Sequence, residues 1–204
     1  MKNLFKFSPI IALFVVLTSV QTFAHESKEI CLKKLLGPYP AIGSEASNAD
    51  FAILHFYQDT RTEEQCAAAG TEVQASLESF YGNMLSAKEL KHIKSFFTAL
   101  KIDVGIHAGL AKYQFKRPRP FVTDPTLKPC LKLEKTYAYP SGHTTMARLY
   151  ARVLAHMYPE RAEAFMKRGD EIAMHRVLGG VHHPSDIVAG KKLGDAMAME
   201  IVGE

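Results

Sequence analysis

Three stretches of this chain put cations and imidazoles where a helical pattern would ordinarily place packing residues. The first is Lys112, four residues after Ala108 on an apolar stripe, followed by Arg119-Pro120. The second is Pro140-Ser141-Gly142-His143. Ser141 is a good helix N-cap, and Gly142 lets a ligand come close to the backbone. The unpaired N–H groups of a first helical turn, with the positive end of the helix dipole, attract anions. His143 lies three residues before Met146 and so shares the inward stripe. The third stretch runs from His175-Arg176 to His182-His183-Pro184-Ser185-Asp186. Arg176 falls on an apolar face with Phe165 and Ile172, where a guanidinium needs an anionic partner. Asp186, four residues after His182, can reach that imidazole.

Each stretch alone has a plainer reading. Lys112 and Arg119 suit a basic helix terminus, Ser141 suits simple capping, and Asp186 suits a first-turn acid favoured by the dipole. Together they supply three cations, a helix N-terminus and two histidines, one with a carboxylate to orient it. That set can hold a tetrahedral oxyanion and transfer its phosphoryl group without a metal. The cations neutralise the equatorial oxygens, one imidazole attacks phosphorus, and the other protonates the leaving oxygen. No metal or other cofactor is expected.

The pattern Lys112-x6-Arg119-Pro120, Pro140-Ser141-Gly142-His143 and Arg176-x5-His182-x3-Asp186 resembles the three-part signature of the type 2 phosphatidic acid phosphatase superfamily, with order and spacing kept. The nearest resemblance is to the class A bacterial non-specific acid phosphatases; lipid phosphatases and vanadium haloperoxidases carry the same signature. The resemblance implies that His182 is the nucleophile that forms a phosphohistidine, that Asp186 fixes its tautomer, and that His143 is the general acid. It further implies that Lys112, Arg119, Ser141, Gly142 and Arg176 bind the phosphate. One position departs from the pattern: His175 stands where the family usually has Ser before the arginine, and packing or support of the site is the expected role. The neighbouring His183 is expected to face solvent or the site rim.

The elements that must position these residues read as helices nearly throughout, with little period-2 alternation. Thr62 and Gln65 form a capping box ahead of Cys66, Ala69, Val73, Leu77, Phe80 and Met84 on one stripe. Ser86 and Glu89 repeat that signal before a long inward face from Leu90 to Phe115, bent near Gly105 or Gly109 if anywhere. The prolines of Lys116-Arg117-Pro118-Arg119-Pro120 end it. Further helices are expected from Ser141 to about Met157, from about Glu160 to Leu178 with Gly179-Gly180 as the stop, and from Pro184 onward. The fold class is therefore all-α, a single-domain helical bundle, which the resemblance narrows to the acid phosphatase/vanadium haloperoxidase type.

Residues 1–24 read as a secretory signal: Lys2 and Lys6 precede the apolar run Ile10 to Leu17, and Thr22-Phe23-Ala24 resembles a cleavage site. Residues 25–48 read as an extended lead-in, and 49–204 as the helical phosphatase domain. The leader implies a bacterial periplasmic or secreted product with no stable membrane insertion once it is cleaved. Export places Cys31, Cys66 and Cys130 in an oxidising compartment, where three cysteines permit one bridge and any of the three pairings is open. The 204 residues carry 25 Lys and Arg against 21 Asp and Glu, a net +4 that gives no reason to expect a nucleic-acid partner. The expected partner is a small-molecule phosphate ester, and homo-oligomerisation is left open. The leading function is a metal-independent, broad-specificity acid phosphatase acting on phosphomonoesters. The alternatives are a lipid phosphate or diphosphate phosphatase and a vanadate-dependent haloperoxidase.

Overall fold

A computed structural model describes residues 31–203, so the expected leader at 1–24 lies outside the described residues. The described residues form helices and loops with no strand. In chain order the helices are α1 (Leu32–Leu36), α2 (Glu45–Thr60), α3 (Glu63–Gly70), α4 (Leu77–Tyr81), α5 (Ala87–Phe115), α6 (Pro120–Thr123), α7 (Gly142–Met157), α8 (Ala162–Leu178) and α9 (Pro184–Val202). None is long and apolar enough to cross a membrane.

The core is built around α7. Its inward face buries Met146, Ala147, Leu149, Tyr150, Val153 and Leu154, and it packs mainly on α8 and α9, with α5 alongside. The α5 face expected from spacing is buried as Ile93, Phe97, Leu100, Val104, Ala108 and Ala111, and the helix runs unbroken through Gly105 and Gly109. Its Ser86–Glu89 capping box forms, as does that of Thr62 and Gln65. Two glycines let α9 approach α7 closely. A Cβ at Gly190 would stand 2.8 Å from the Ser141 carbonyl, and one at Gly194 would stand 2.7 Å from that of Thr145. Both are forbidden approaches, so the distance between the two site-bearing helices is set by these missing side chains.

Two local expectations need correction, and one open question is resolved. The stripe from Cys66 to Met84 is not one helix: it stops at Gly70 and restarts when Ser76 caps α4. The lead-in is not extended throughout. Leu32 and Leu36, one turn apart, are buried from α1, and Ser44 caps α2 by accepting from the Ser47 N–H. The cysteine pairing resolves as Cys66–Cys130, with Cys31 free and exposed. That bridge ties α3 to the loop leading into α7, beside a small cluster of Ala69, Leu131 and Val181.

Candidate active site

The site forms where the ends of α5, α7, α8 and α9 meet the 124–141 loop. Ser141 caps α7, accepting from the Thr144 N–H at 3.3 Å, and its own N–H donates to the Asp186 carbonyl at 3.1 Å. That bond fixes the start of α7 against the first turn of α9. Gly180, at φ +78°, turns the chain after α8 in a conformation that favours glycine, and so returns His182 to the end of α8.

Asp186 is fully buried and is the hub of the floor. One carboxylate oxygen accepts from Arg117 Nη1 at 2.6 Å; the other takes His182 Nδ1 at 3.2 Å, His183 Nδ1 at 3.0 Å and the His183 N–H at 2.8 Å. A carboxylate in this setting can only accept, so His182 carries its proton on Nδ1 and its Nε2 is a lone pair. That Nε2 accepts from Arg119 Nη1 at 2.9 Å. Burial and the Arg119 charge hold His182 well below the ordinary histidine range, leaving it neutral in mild acid. Burial would raise the Asp186 pKa, but the bonds from His182 and His183 keep it well below the usual carboxylate range.

Arg119 and Arg176 face each other across Glu134. Arg119 Nη2 donates to Glu134 Oε2 at 2.5 Å, and Arg176 Nη2 to Oε1 at 2.6 Å. Arg119 is further fixed by the Thr136 carbonyl through Nε and by the Val181 carbonyl through Nη1, each at 2.8 Å. Arg176 Nε and Nη1 are buried and have no partner among the described residues. The inward arginine read from the sequence thus does find an anion, but with only part of its donor set. Burial would raise Glu134, yet Arg119, His182, Arg176 and His143 around it bring its pKa down to about 2.

An open pocket of about 300 Å3 lies over this cradle, lined by Val73, Lys132, Glu134, Thr136, His143 and Arg176 among others. His143 Nε2 donates to the Val73 carbonyl at 3.3 Å. Burial and the Arg176 charge push its pKa down to about 4. Lys112 donates its ammonium to the carbonyls of Tyr137 and Ala138. Burial, then Arg119, lowers it to about 7. Lys112 still adds to the field that depresses His182. Gly142 adjoins Ser141, and nothing in the protein requires it to be glycine, since a Cβ there would lie 4.0 Å from the nearest atom.

The structure therefore brings His182, Asp186, Arg119 and Arg176 together directly, and sets His143 on the same pocket as Arg176. His175 packs: its Nδ1 meets both oxygens of the buried Glu72 at 3.0 Å, and Arg168 holds the same carboxylate at 2.6 Å. His183 corrects expectation. It is buried, not on a rim, because as the N-cap of α9 it folds back onto Asp186, and Phe51 stands edge-on to its ring at 5.3 Å. The sequence reading missed Arg117, Asp50, Glu72 and Glu134. Arg117 had a signal, a second cation inside the proline-locked run. A further partner, Asp50 at 3.0 Å, comes from α2 and had none. Among the described residues no group of three or more His, Cys, Asp or Glu is arranged to hold a metal ion.

Residues 94–202 match the PAP2 superfamily, just over half the chain. A non-specific acid phosphatase of Providencia stuartii is 32% identical over 182 residues, covering 83% of this chain and 73% of that protein. A lipid A 1-phosphatase of Rhizobium johnstonii is 28% identical over 147 residues, covering 70% of this chain and 55% of that one. The crystal structure of a bacterial vanadium-dependent iodoperoxidase superposes with a TM-score of 0.64 at 19% identity, over 81% of this chain and 51% of that one. A likeness at that identity establishes the all-α fold alone. By family and by sequence similarity over most of its length, the chain belongs to the PAP2 superfamily and is a phosphatase.

Proposed function

We propose that the protein is a broad-specificity acid phosphatase that hydrolyses phosphomonoesters through a phosphohistidine on His182, without a metal, outside the bacterial cytoplasm. The observation that carries this reading is the state of His182. Its Nδ1–H is tied to a buried carboxylate, its Nε2 lone pair faces Arg119, and its neutrality extends into acid. Such an imidazole is a ready nucleophile at a pH where an ordinary histidine is protonated.

In the first step His182 Nε2 forms a bond to phosphorus while the bond from phosphorus to the leaving oxygen breaks. His143 Nε2 gives its proton to that oxygen. Arg119, Arg176 and Lys112, with Ser141 and the Gly142 N–H, take up charge on the phosphoryl oxygens. Water then attacks phosphorus on the far side and gives a proton to His143. The P–N bond breaks, the electron pair returns to Nε2, and inorganic phosphate leaves. Asp186 stays ionised throughout and stabilises the imidazolium character that develops on His182.

Export is supported by the leader-like residues 1–24 and by the Cys66–Cys130 bridge, since disulfides persist in oxidising compartments. A second reading, hydrolysis of a lipid phosphate, is favoured by the apolar mouth of the pocket, where Leu133 is 54% and Val73 37% exposed. A panel of aryl phosphates, nucleotides, diphosphates and dispersed lipid phosphates, assayed across pH with chelator present, separates the two. The acid phosphatase reading requires the soluble monoesters to turn over fastest, in acid and with chelator. His182→Ala is expected to lose at least ~10^4 in kcat, the scale on which removal of a nucleophile acts, with the melting temperature kept. Near-normal turnover in that variant would remove the nucleophile assignment.

A further inference from the structure

Glu134 is the only carboxylate in the described structure that bridges Arg119 and Arg176, and its position is that of an anion, not of a structural acid. It reaches the two guanidinium groups from the loop between α6 and α7, beside the open pocket, and is 30% exposed. A carboxylate offers two oxygens, and both are used, one per arginine. The cradle holds more donors than that. Arg176 Nε and Nη1 are buried and unpartnered, which a third acceptor oxygen would relieve. A phosphoryl group has three terminal oxygens and two negative charges, so it suits the donors better than the side chain now seated on them.

We propose that Glu134 is a resident competitor for the phosphate subsite: its carboxylate stands in for two phosphoryl oxygens in the resting enzyme, yields to substrate, and returns to help release product phosphate. This rests on the phosphatase reading above. Protonation does not open the site, because the surrounding cations hold Glu134 at about pH 2, and it stays ionised at the acid pH of turnover. Displacement is one anion exchanged for another. The exchange keeps two neighbouring guanidinium groups from facing each other unpaired between turnovers, a state that burial makes costly. It also raises the concentration of substrate needed to fill the site and loosens product phosphate.

Glu134→Gln keeps the shape and removes the charge. Inorganic phosphate, titrated calorimetrically into wild type and Glu134→Gln, should bind the variant about tenfold more tightly. KM for an aryl phosphate should fall by a similar factor, and kcat should fall as product release slows. Glu134→Asp, which keeps the charge on a shorter arm, should fall between the two. A residue that merely held the loop would act in the opposite sense, loosening both phosphate and substrate. Equal or weaker phosphate binding by Glu134→Gln, with an unchanged melting temperature, would overturn the proposal. Because phosphate binding is read without turnover, the two readings fail separately. Tighter binding in the variant supports the competitor whether or not either protein hydrolyses esters. A wild type that binds phosphate and hydrolyses nothing would count against the hydrolase reading instead.

Discussion

Asp186 and Glu134 are both carboxylates held by cationic or protonated groups of the same site, and their settings differ. Asp186 is fully buried in the first turn of α9, and accepts one bond at Oδ1 and three at Oδ2. Its backbone carbonyl is engaged as well, by the Ser141 N–H. Glu134 is part-exposed on a loop and makes one short bond per oxygen. Removing a partner from a buried, fully bonded ionic group leaves an uncompensated charge, whereas a part-exposed pair can exchange partners with little loss. The floor of the site is thus a closed frame and the mouth, on the proposal above, an exchangeable contact, although both are built from the same chemical groups.

The sharpest way to break that comparison is to damage the floor. Asp186→Asn keeps the shape but removes the charge, and offers His182 Nδ1 an amide that can present the wrong group. Loss of the correct tautomer is expected to lower kcat by roughly 10^3–10^4-fold. Arg117 bonds Asp186, Ser185 and Asp50 and is proposed as a positioning residue that acts through Asp186. Arg117→Met should cost less, about 10–100-fold in kcat with KM little changed, and Arg117→Lys should recover part of it. If instead Arg117→Met changes KM as much as kcat, the floor and mouth are not separable.

A second, smaller effect concerns His143 at the mouth. Burial and Arg176 hold it at about 4 in the resting protein, and a bound phosphoryl dianion adds the opposite influence. With the protonated form as the proposed acid, kcat should fall as pH rises through a pKa higher than the one governing kcat/KM. His143→Ala should lose about 100-fold with an alkyl phosphate and only a few-fold with a nitrophenyl ester, whose oxygen needs no proton. The measurement is a pair of pH–rate profiles with each ester. Equal losses for the two would take the general-acid role away from His143.

Much of the frame was legible from local rules. Ser86–Glu89 and Thr62–Gln65 form the boxes their spacing announces, α5 buries the expected stripe, and Ser141 caps α7. Arg176 announced itself as an inward cation on an apolar face. What escaped was whatever depends on chain meeting chain far apart in sequence. Asp50 reaches Arg117 across 67 residues and Glu72 reaches His175 across 103. Glu134, between lysines in Leu131-Lys132-Leu133-Glu134-Lys135, looks like any solvated loop acid until the fold sets it on two arginines. His183 was misplaced for a related reason. Its burial follows from the turn that makes it an N-cap, and a sequence run of two histidines does not show which ring turns inward.

The smallest expected effect tests the frame where floor and mouth join. A side chain at Gly142 would meet nothing closer than the Ala108 Cβ at 4.0 Å, while one at Gly190 would stand 2.8 Å from the Ser141 carbonyl. The two glycines therefore differ: Gly190 lets helix meet helix, whereas Gly142 has room for a side chain and is proposed to border the bound phosphate. Gly142→Ala should leave the melting temperature within about a degree or two, because a helical Gly→Ala change with room for the new Cβ is mildly stabilising if anything. It should raise the phosphate dissociation constant a few-fold by holding the anion off the first-turn N–H groups. Gly190→Ala should do the reverse, lowering the melting temperature by several degrees through overpacking of α9 on α7. Thermal melts and phosphate titrations of both variants check this pair, and a Gly142→Ala protein that melts early yet binds phosphate normally would show that the glycine serves the fold and not the ligand.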